Sequence, residues 1–265
     1  MRILVVLQVD ISNMNQLPFE YKKIIELAQK AAKAIIDVKR QGFDVEKKGD
    51  KSPVTAADLA ASKVINDELS KLDWPIINEE TKDAPYQERK KWSELWLVDP
   101  LDGTKEFIKG TDEYTVNIAF VKDQQPVWGV IVQPENKTTY FGGDAFGSYM
   151  IKNGVEEMIV VKENEPQQIF ISKSHHTEEG EKYLASLEQA YEKASCGSSL
   201  KFCKIAEGVA DEYPRFGPTM EWDTCAGQAI LEGAGGSVVD VESKEQLLYN
   251  KENLLNPFFI AKNKR

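Results

Sequence analysis

The densest chemistry in the chain lies in Trp96-Leu97-Val98-Asp99-Pro100-Leu101-Asp102-Gly103-Thr104, where an apolar run delivers two aspartates into a Pro/Gly segment. Pro100 fixes its own φ and steers Asp99 away from helix, so both carboxylates can project from a tight turn at a strand end. Gly103 lets the backbone come close to a ligand. Hard divalent cations such as Mg²⁺ take oxygen ligands, usually a few carboxylates plus a substrate phosphate, and Asp99 and Asp102 suit that role. Glu79, at the end of the preceding predicted strand, and Asp223, at the start of a later predicted helix, would complete a four-carboxylate cluster. Only protons or a metal make such crowding tolerable. Taken alone, the motif reads equally as an Asx-type turn, because Asp, Pro and Gly are the commonest turn residues.

The elements that must position these groups follow from periodicity. Ile24, Leu27, Ala28, Ala31, Ile35 and Val38 recur at helical spacing after Pro18, with Gly42 as the stop. A second helix begins near Ala56 and carries Ala57, Ala60, Val64, Ile65 and Leu69 on one face. Residues 74–77 and 95–98 read as strands, and 114–121 with 127–133 as a hairpin joined by a short polar link. From about Ile159 strands alternate with helices: a strand at 168–171, a helix after Thr177, a strand at 191–194, and helices from Ser199 and over 222–232. The expected organisation is an N-terminal extension over 1–17, an α+β metal-binding lobe over 18–158 and an α/β substrate-binding lobe over 159–265. With no flexible linker between them, the lobes should pack closely, with the site between them.

Composition narrows the class. The 33 Lys and Arg against 43 Asp and Glu leave a formal charge of −10, which excludes nucleic-acid coating as a default function. The longest early apolar run, residues 3–7, is far shorter than the roughly 20 residues of a bilayer span. The run also lacks a small-residue cleavage site, so a secretory leader is not expected. Three cysteines without a C-x-x-C pair argue against a disulfide framework or structural zinc and for a reducing cytoplasm. Cys203 and Cys225 should pack in the interior, with no basic partner that would make either a nucleophile. The absence of a basic amphipathic helix leaves at most weak peripheral association with the inner membrane.

Four segments together resemble the signature set of the lithium-sensitive, Mg²⁺-dependent phosphomonoesterases of the inositol monophosphatase superfamily. They are Ser52-Pro53-Val54-Thr55-Ala56-Ala57-Asp58, Asn78-Glu79-Glu80, Asp99 to Thr104, and Trp222-Asp223-Thr224-Cys225-Ala226-Gly227. Within it, Lys105-Glu106-Phe107 after Asp102-Gly103-Thr104 is similar to the 3′(2′),5′-bisphosphate nucleotidases of the bacterial CysQ type. So are Ser172-Lys173-Ser174-His175, the run from Gly197 to Cys203, and Tyr213-Pro214-Arg215-Phe216.

The resemblance implies a layered α/β sandwich, αβαβα, of the inositol monophosphatase and fructose-1,6-bisphosphatase kind. It implies metal ligands at Glu79, Asp99, Asp102, Asp223 and the carbonyl of Leu101, holding two or three Mg²⁺. It also implies a water-activating pair, Thr104 and Asp58, and substrate contacts from Gly103, Thr104, His175, Ser198, Lys201, Arg215 and Asp223. The implied reaction removes the 3′-phosphate of adenosine 3′,5′-bisphosphate to give AMP, with 3′-phosphoadenylyl sulfate as a second substrate, in sulfur assimilation and nucleotide recycling. A small-molecule nucleotide is then the partner of a monomer or homodimer, with no nucleic acid. Inositol monophosphate hydrolysis and a non-catalytic nucleotide or metal sensor are the alternatives. Residues 1–13 have no counterpart in the family pattern, and Met14 would serve as an initiator.

Overall fold

The computed structural model describes residues 11–47, 53–81, 84–171 and 177–264. A 3-10 turn, Ile11–Gln16, leads into α1 (Tyr21–Gln41), which ends at Gly42, where φ is 82°. The hairpin of β1 (Val45–Lys47) and β2 (Pro53–Thr55) precedes α2 (Ala56–Leu69), β3 (Ile76–Asn78) and the single-turn α3 (Tyr86–Arg89). β4 (Glu94–Asp102) runs into α4 (Thr104–Ile108). A meander follows: β5 (Thr115–Lys122), β6 (Gln125–Gln133), β7 (Thr138–Gly143), β8 (Gly147–Lys152) and β9 (Val155–Ile159). The remaining elements are β10 (Gln167–Phe170), α5 (Glu178–Ala185), β11 (Tyr191–Ala194), α6 (Leu200–Ala206), β12 (Glu212–Arg215), α7 (Glu221–Gly233), β13 (Ser237–Asp240) and β14 (Phe259–Lys262).

One sheet has the order β3-β4-β5-β6-β7-β8-β9, with β3 parallel to β4 and every other pair antiparallel. The β5–β6 link turns on Asp123 and Gln124, both with positive φ (48° and 65°), the conformation of the tightest hairpins. Successive strand residues point to opposite faces. On one face Trp96, Val98, Ile118, Phe120, Trp128 and Val130 pack with α1 and α2. On the other, Leu95, Leu97, Ala119, Val121, Ile131 and Tyr140 share a core with α6 and α7. Burial on both faces explains why these strands read as nearly unbroken apolar runs.

The second sheet, β11-β10-β12-β14-β13, contributes Tyr213, Val238, Phe259 and Ala261 to the α6/α7 core. Its other face meets α5, where the Tyr183 hydroxyl donates to Glu212 at 2.6 Å. The layers are therefore α1/α2, sheet, α6/α7, sheet, α5, the alternation expected from the sequence. Cys203 and Cys225 are fully buried, and all three cysteines are free thiols. Among the described residues no helix is long and apolar enough to cross a membrane.

Several boundaries differ from the periodicity. β3 starts at Ile76 rather than 74, and β4 continues through Pro100 to Asp102 rather than ending in a turn before it. β7, β8, β9, β12, β13 and β14 are not marked by the periodicity; β9 lies at the sheet edge, with four of its five residues exposed. Met14 is fully buried and Leu17 nearly so, in the α1/α2 core, where the Phe19 ring lies 4.7 Å from Trp96 and 5.0 Å from Phe120. The early apolar run at 3–7 lies outside the described residues.

Candidate active site

The two aspartates of the β4 segment are three residues apart, so a regular strand would send them to opposite faces. The β4–β5 register pairs Asp99 with Asn117 but Asp102 with Thr115, an irregularity that inserts one extra residue on β4. A one-residue bulge flips the side-chain parity, and Pro100, with no N–H to lose from the ladder, sits within it. Both carboxylates consequently face the α6/α7 layer. Glu79, the residue after β3, is tied to β4 by its N–H on the Val98 carbonyl at 3.2 Å, and Asp223 stands in the first turn of α7.

Carboxylate oxygens of Glu79, Asp99 and Asp223 lie within 4.8 Å of one another. Asp102 is outside this trio but acts on both Asp99 and Asp223 as a repelling neighbour. In each aspartate one oxygen accepts a backbone N–H: Asp99 from Leu101 (3.0 Å), Asp102 from Ser199 (2.6 Å), Asp223 from Met220 (2.8 Å). Such bonds set the orientation of the group and leave the other oxygen for a ligand. Burial, then repulsion from Glu79, Asp102 and Asp223, raises the Asp99 pKa well above the usual carboxylate range. Burial, then Asp102 and Glu79, does the same to Asp223. Asp102 is pushed up to about 6 by burial, against the opposing pull of Lys201 and the Ser199 N–H. Buried acids that disfavour their own charge fit a divalent cation, which would hold all of them ionised. The Leu101 carbonyl oxygen, also expected at the metal, lies 3.2 Å from the Thr104 hydroxyl oxygen.

Thr104 opens α4 directly after Gly103, whose φ is 92°. A Cβ at Gly103 would meet the Glu113 carbonyl at 3.0 Å and Ser198 Cβ at 3.3 Å, so the turn excludes other side chains on both conformation and space. Phe107 anchors α4, its ring 4.5 Å from Phe43 and 5.2 Å from Tyr114. The Thr104 hydroxyl lies 2.9 Å from Asp58 Oδ1. Asp58 is almost fully buried, and its Oδ2 accepts from both the N–H and the hydroxyl of Thr55, each at 2.7 Å, in a capping box that starts α2. Asp58 and Thr104 thus meet across 46 residues of chain.

A pocket beside the carboxylates is lined by Asp102, Gly103, Ser198, Lys201, Arg215 and Asp223 among others. Lys201 and Arg215 are both buried. Lys201 Nζ donates to the carbonyls of Ser198 (2.7 Å) and Cys196 (3.1 Å) and lies 4.9 Å from the centre of the Tyr213 ring. Arg215 Nη2 donates to the Pro218 carbonyl at 2.9 Å. Ser198 has a left-handed φ of 48°, and the Gly197 N–H beside it is held by Glu113 at 2.9 Å. Every expected site residue therefore gathers at one place except His175, which lies outside the described residues.

The chain matches the model of the inositol monophosphatase family over residues 19–263. The chain belongs to the inositol monophosphatase family. A similar curated relative is the 3′(2′),5′-bisphosphate nucleotidase CysQ of Salmonella typhimurium, 43% identical over 242 residues, covering 90% of this chain and 97% of that protein. The crystal structure of CysQ from Bacteroides thetaiotaomicron aligns with a TM-score of 0.83 at 41% identity, over 94% of this chain and 99% of that one. The IMPase of Thermotoga maritima aligns with a TM-score of 0.74 at 26% identity, over 92% and 91%.

Residues absent from the sequence expectation also shape the site: Thr55, Glu113, Thr115, Asn117 and Ser199. Two of them carried a signal. Thr115 and Asn117 are polar interruptions in an otherwise apolar strand, on the face that Asp99 and Asp102 share.

Proposed function

We propose that the chain is a Mg²⁺-dependent phosphomonoesterase that removes the 3′-phosphate of adenosine 3′,5′-bisphosphate, giving AMP and phosphate, with 3′-phosphoadenylyl sulfate as a second substrate. The observation that carries this reading is a single pocket in which two buried cations, Lys201 and Arg215, face the acidic residues Asp102 and Asp223. A polyol monophosphate would need only the acidic half, whereas a nucleotide with two phosphates uses both. The names of the CysQ relatives support the same substrate class.

Glu79, Asp99, Asp102, Asp223 and the Leu101 carbonyl would hold two or three Mg²⁺, which supply charge neutralisation at the phosphate and at the leaving oxygen. Thr104 has one hydroxyl hydrogen, and donating it to Asp58 Oδ1 leaves its lone pairs to accept from the attacking water. The water proton passes to Thr104 Oγ1 as the threonine hydrogen moves to Asp58 Oδ1, the general base. Asp58 Oδ2 stays bound by Thr55 and fixes the carboxylate plane. The water oxygen bonds to phosphorus, the bond to the 3′-oxygen breaks, and that oxygen leaves as the ribose hydroxyl after taking a proton from solvent. Arg215, a planar fork, suits a phosphate, and Lys201 keeps one of its three hydrogens for the ligand. His175 completes the proposed substrate contacts, and three free thiols fit a cytoplasmic enzyme.

The test is phosphate release from adenosine 3′,5′-bisphosphate, AMP and inositol 1-phosphate, with and without Mg²⁺ and with added Li⁺. Mg²⁺-dependent, Li⁺-sensitive release from the bisphosphate supports the assignment. Preference for inositol 1-phosphate, or no release at all, overturns it.

A further inference from the structure

Asn117 sits on β5 directly opposite Asp99, its side chain on the α6/α7 face and 1% exposed. A primary amide in an apolar strand is costly unless both ends are used. Its Oδ1 accepts from the Ser199 hydroxyl at 2.8 Å. That hydroxyl has one hydrogen, so its 2.8 Å contact with Thr115 Oγ1 must be donated by Thr115. The order Thr115 to Ser199 to Asn117 fixes which way the amide points. Asn117 Nδ2 is then the free end of the chain. Nδ2 meets no acceptor at hydrogen-bond geometry among the described residues, so the hold of Asn117 on its surroundings runs through Oδ1. Ser199 also donates its backbone N–H to Asp102 Oδ2 at 2.6 Å. Ser199 thus grips Asp102 through its backbone N–H and is itself held through its hydroxyl by Asn117 and Thr115.

We infer that Asn117 is a positioning residue for the divalent-cation site: together with Thr115 it holds the Ser199 hydroxyl, and Ser199, through its backbone N–H, fixes the orientation in which Asp102 meets the cation. The inference rests on Asp102 being a metal ligand. Groups that orient a ligand from behind typically change metal affinity 10- to 100-fold when removed. A merely structural amide behaves differently: its removal strands the Ser199 hydroxyl and shifts the unfolding temperature in chelator, but leaves Mn²⁺ affinity as it was.

Mn²⁺ binding to the metal-free full chain, without substrate, separates the two, using calorimetric titration of the wild type, Asn117→Ala, Ser199→Ala and the double variant. Thermal unfolding of each in chelator runs alongside. Asn117→Ala should weaken Mn²⁺ about tenfold, whatever its unfolding temperature in chelator. Ser199→Ala keeps its N–H on Asp102 and should lose several-fold. The double variant should be no weaker than Asn117→Ala, because both act through one ring of contacts. If Asn117→Ala does not unfold cooperatively, Ser199→Ala carries the test by itself, and binding as tight as wild type overturns the inference. Asn117→Ala binding within twofold of wild type, or additive losses in the double variant, also overturns it. A wild type that binds no Mn²⁺ removes the metal site itself, an outcome distinct from a variant that binds like the wild type.

Discussion

Replacing Thr104 with alanine should separate chemistry from folding. In the native site the hydroxyl is the bridge between the attacking water and Asp58 Oδ1, at 2.9 Å, while Asp58 Oδ2 keeps its two Thr55 donors whatever happens at position 104. Loss of a positioned proton acceptor costs about 10²- to 10⁴-fold in rate, or about 3–5 kcal/mol in the barrier. The folding cost is one hydrogen bond to a carboxylate that stays partly satisfied, about 1–2 kcal/mol, which lowers the unfolding temperature of a chain this size by a few degrees. Steady-state phosphate release from adenosine 3′,5′-bisphosphate should show kcat down at least 100-fold with KM within a few-fold of wild type. Thr104→Ser, which keeps the hydroxyl, should stay within tenfold of wild type. An alanine variant with more than a tenth of wild-type kcat, or a serine variant as poor as the alanine one, would refute the relay.

Arg215→Ala should raise KM for the bisphosphate about 10- to 100-fold, the scale of one charge-assisted contact, while Mn²⁺ affinity measured by titration stays unchanged. Saturating the metal-free chain with Mg²⁺ at a hundred times its dissociation constant should stabilise folding by about 2.7 kcal/mol, read as a rise in unfolding temperature over a chelator control. Glu212 tests pH dependence away from the site. Burial, opposed by the Tyr183 hydroxyl and Lys262, raises its pKa above the ordinary carboxylate value. An acid raised on folding contributes stability below its unfolded pKa and loses it as pH climbs through the folded value. Glu212→Gln should therefore flatten the fall in unfolding temperature between the ordinary carboxylate range and neutral pH, and an unchanged profile would count against the assignment.

Much of this arrangement was legible in the chain itself. The 3.6-residue recurrence from Ile24 to Val38 and the stop at Gly42 mark α1 because one face of a helix must be apolar and a positive φ suits glycine. The β5–β6 hairpin is legible for the same local reason, as is the start of α7 just before Asp223. Residue identity also nominated Glu79, Asp99, Asp102 and Asp223 as oxygen donors of the kind that divalent-cation chemistry needs, and the family resemblance added Asp58 and Thr104 as a water-activating pair.

What stayed hidden depends on contacts between residues far apart in the chain. The parity of Asp99 and Asp102 is set by a bulge in the β4–β5 register, and a register is a property of two strands, not one. The burial of the charged side chain of Lys201 follows from Tyr213 and the carbonyls of residues 196 and 198 closing around it. Asn117 looks like a blemish in an apolar strand until Ser199 arrives from α6's leading turn to orient it. Local sequence determines the identities and the elements, because propensity and periodicity act over a few residues. Only the packed sheets decide which carboxylates share a face and what charge each carries, because desolvation and Coulomb terms depend on neighbours brought together by the fold.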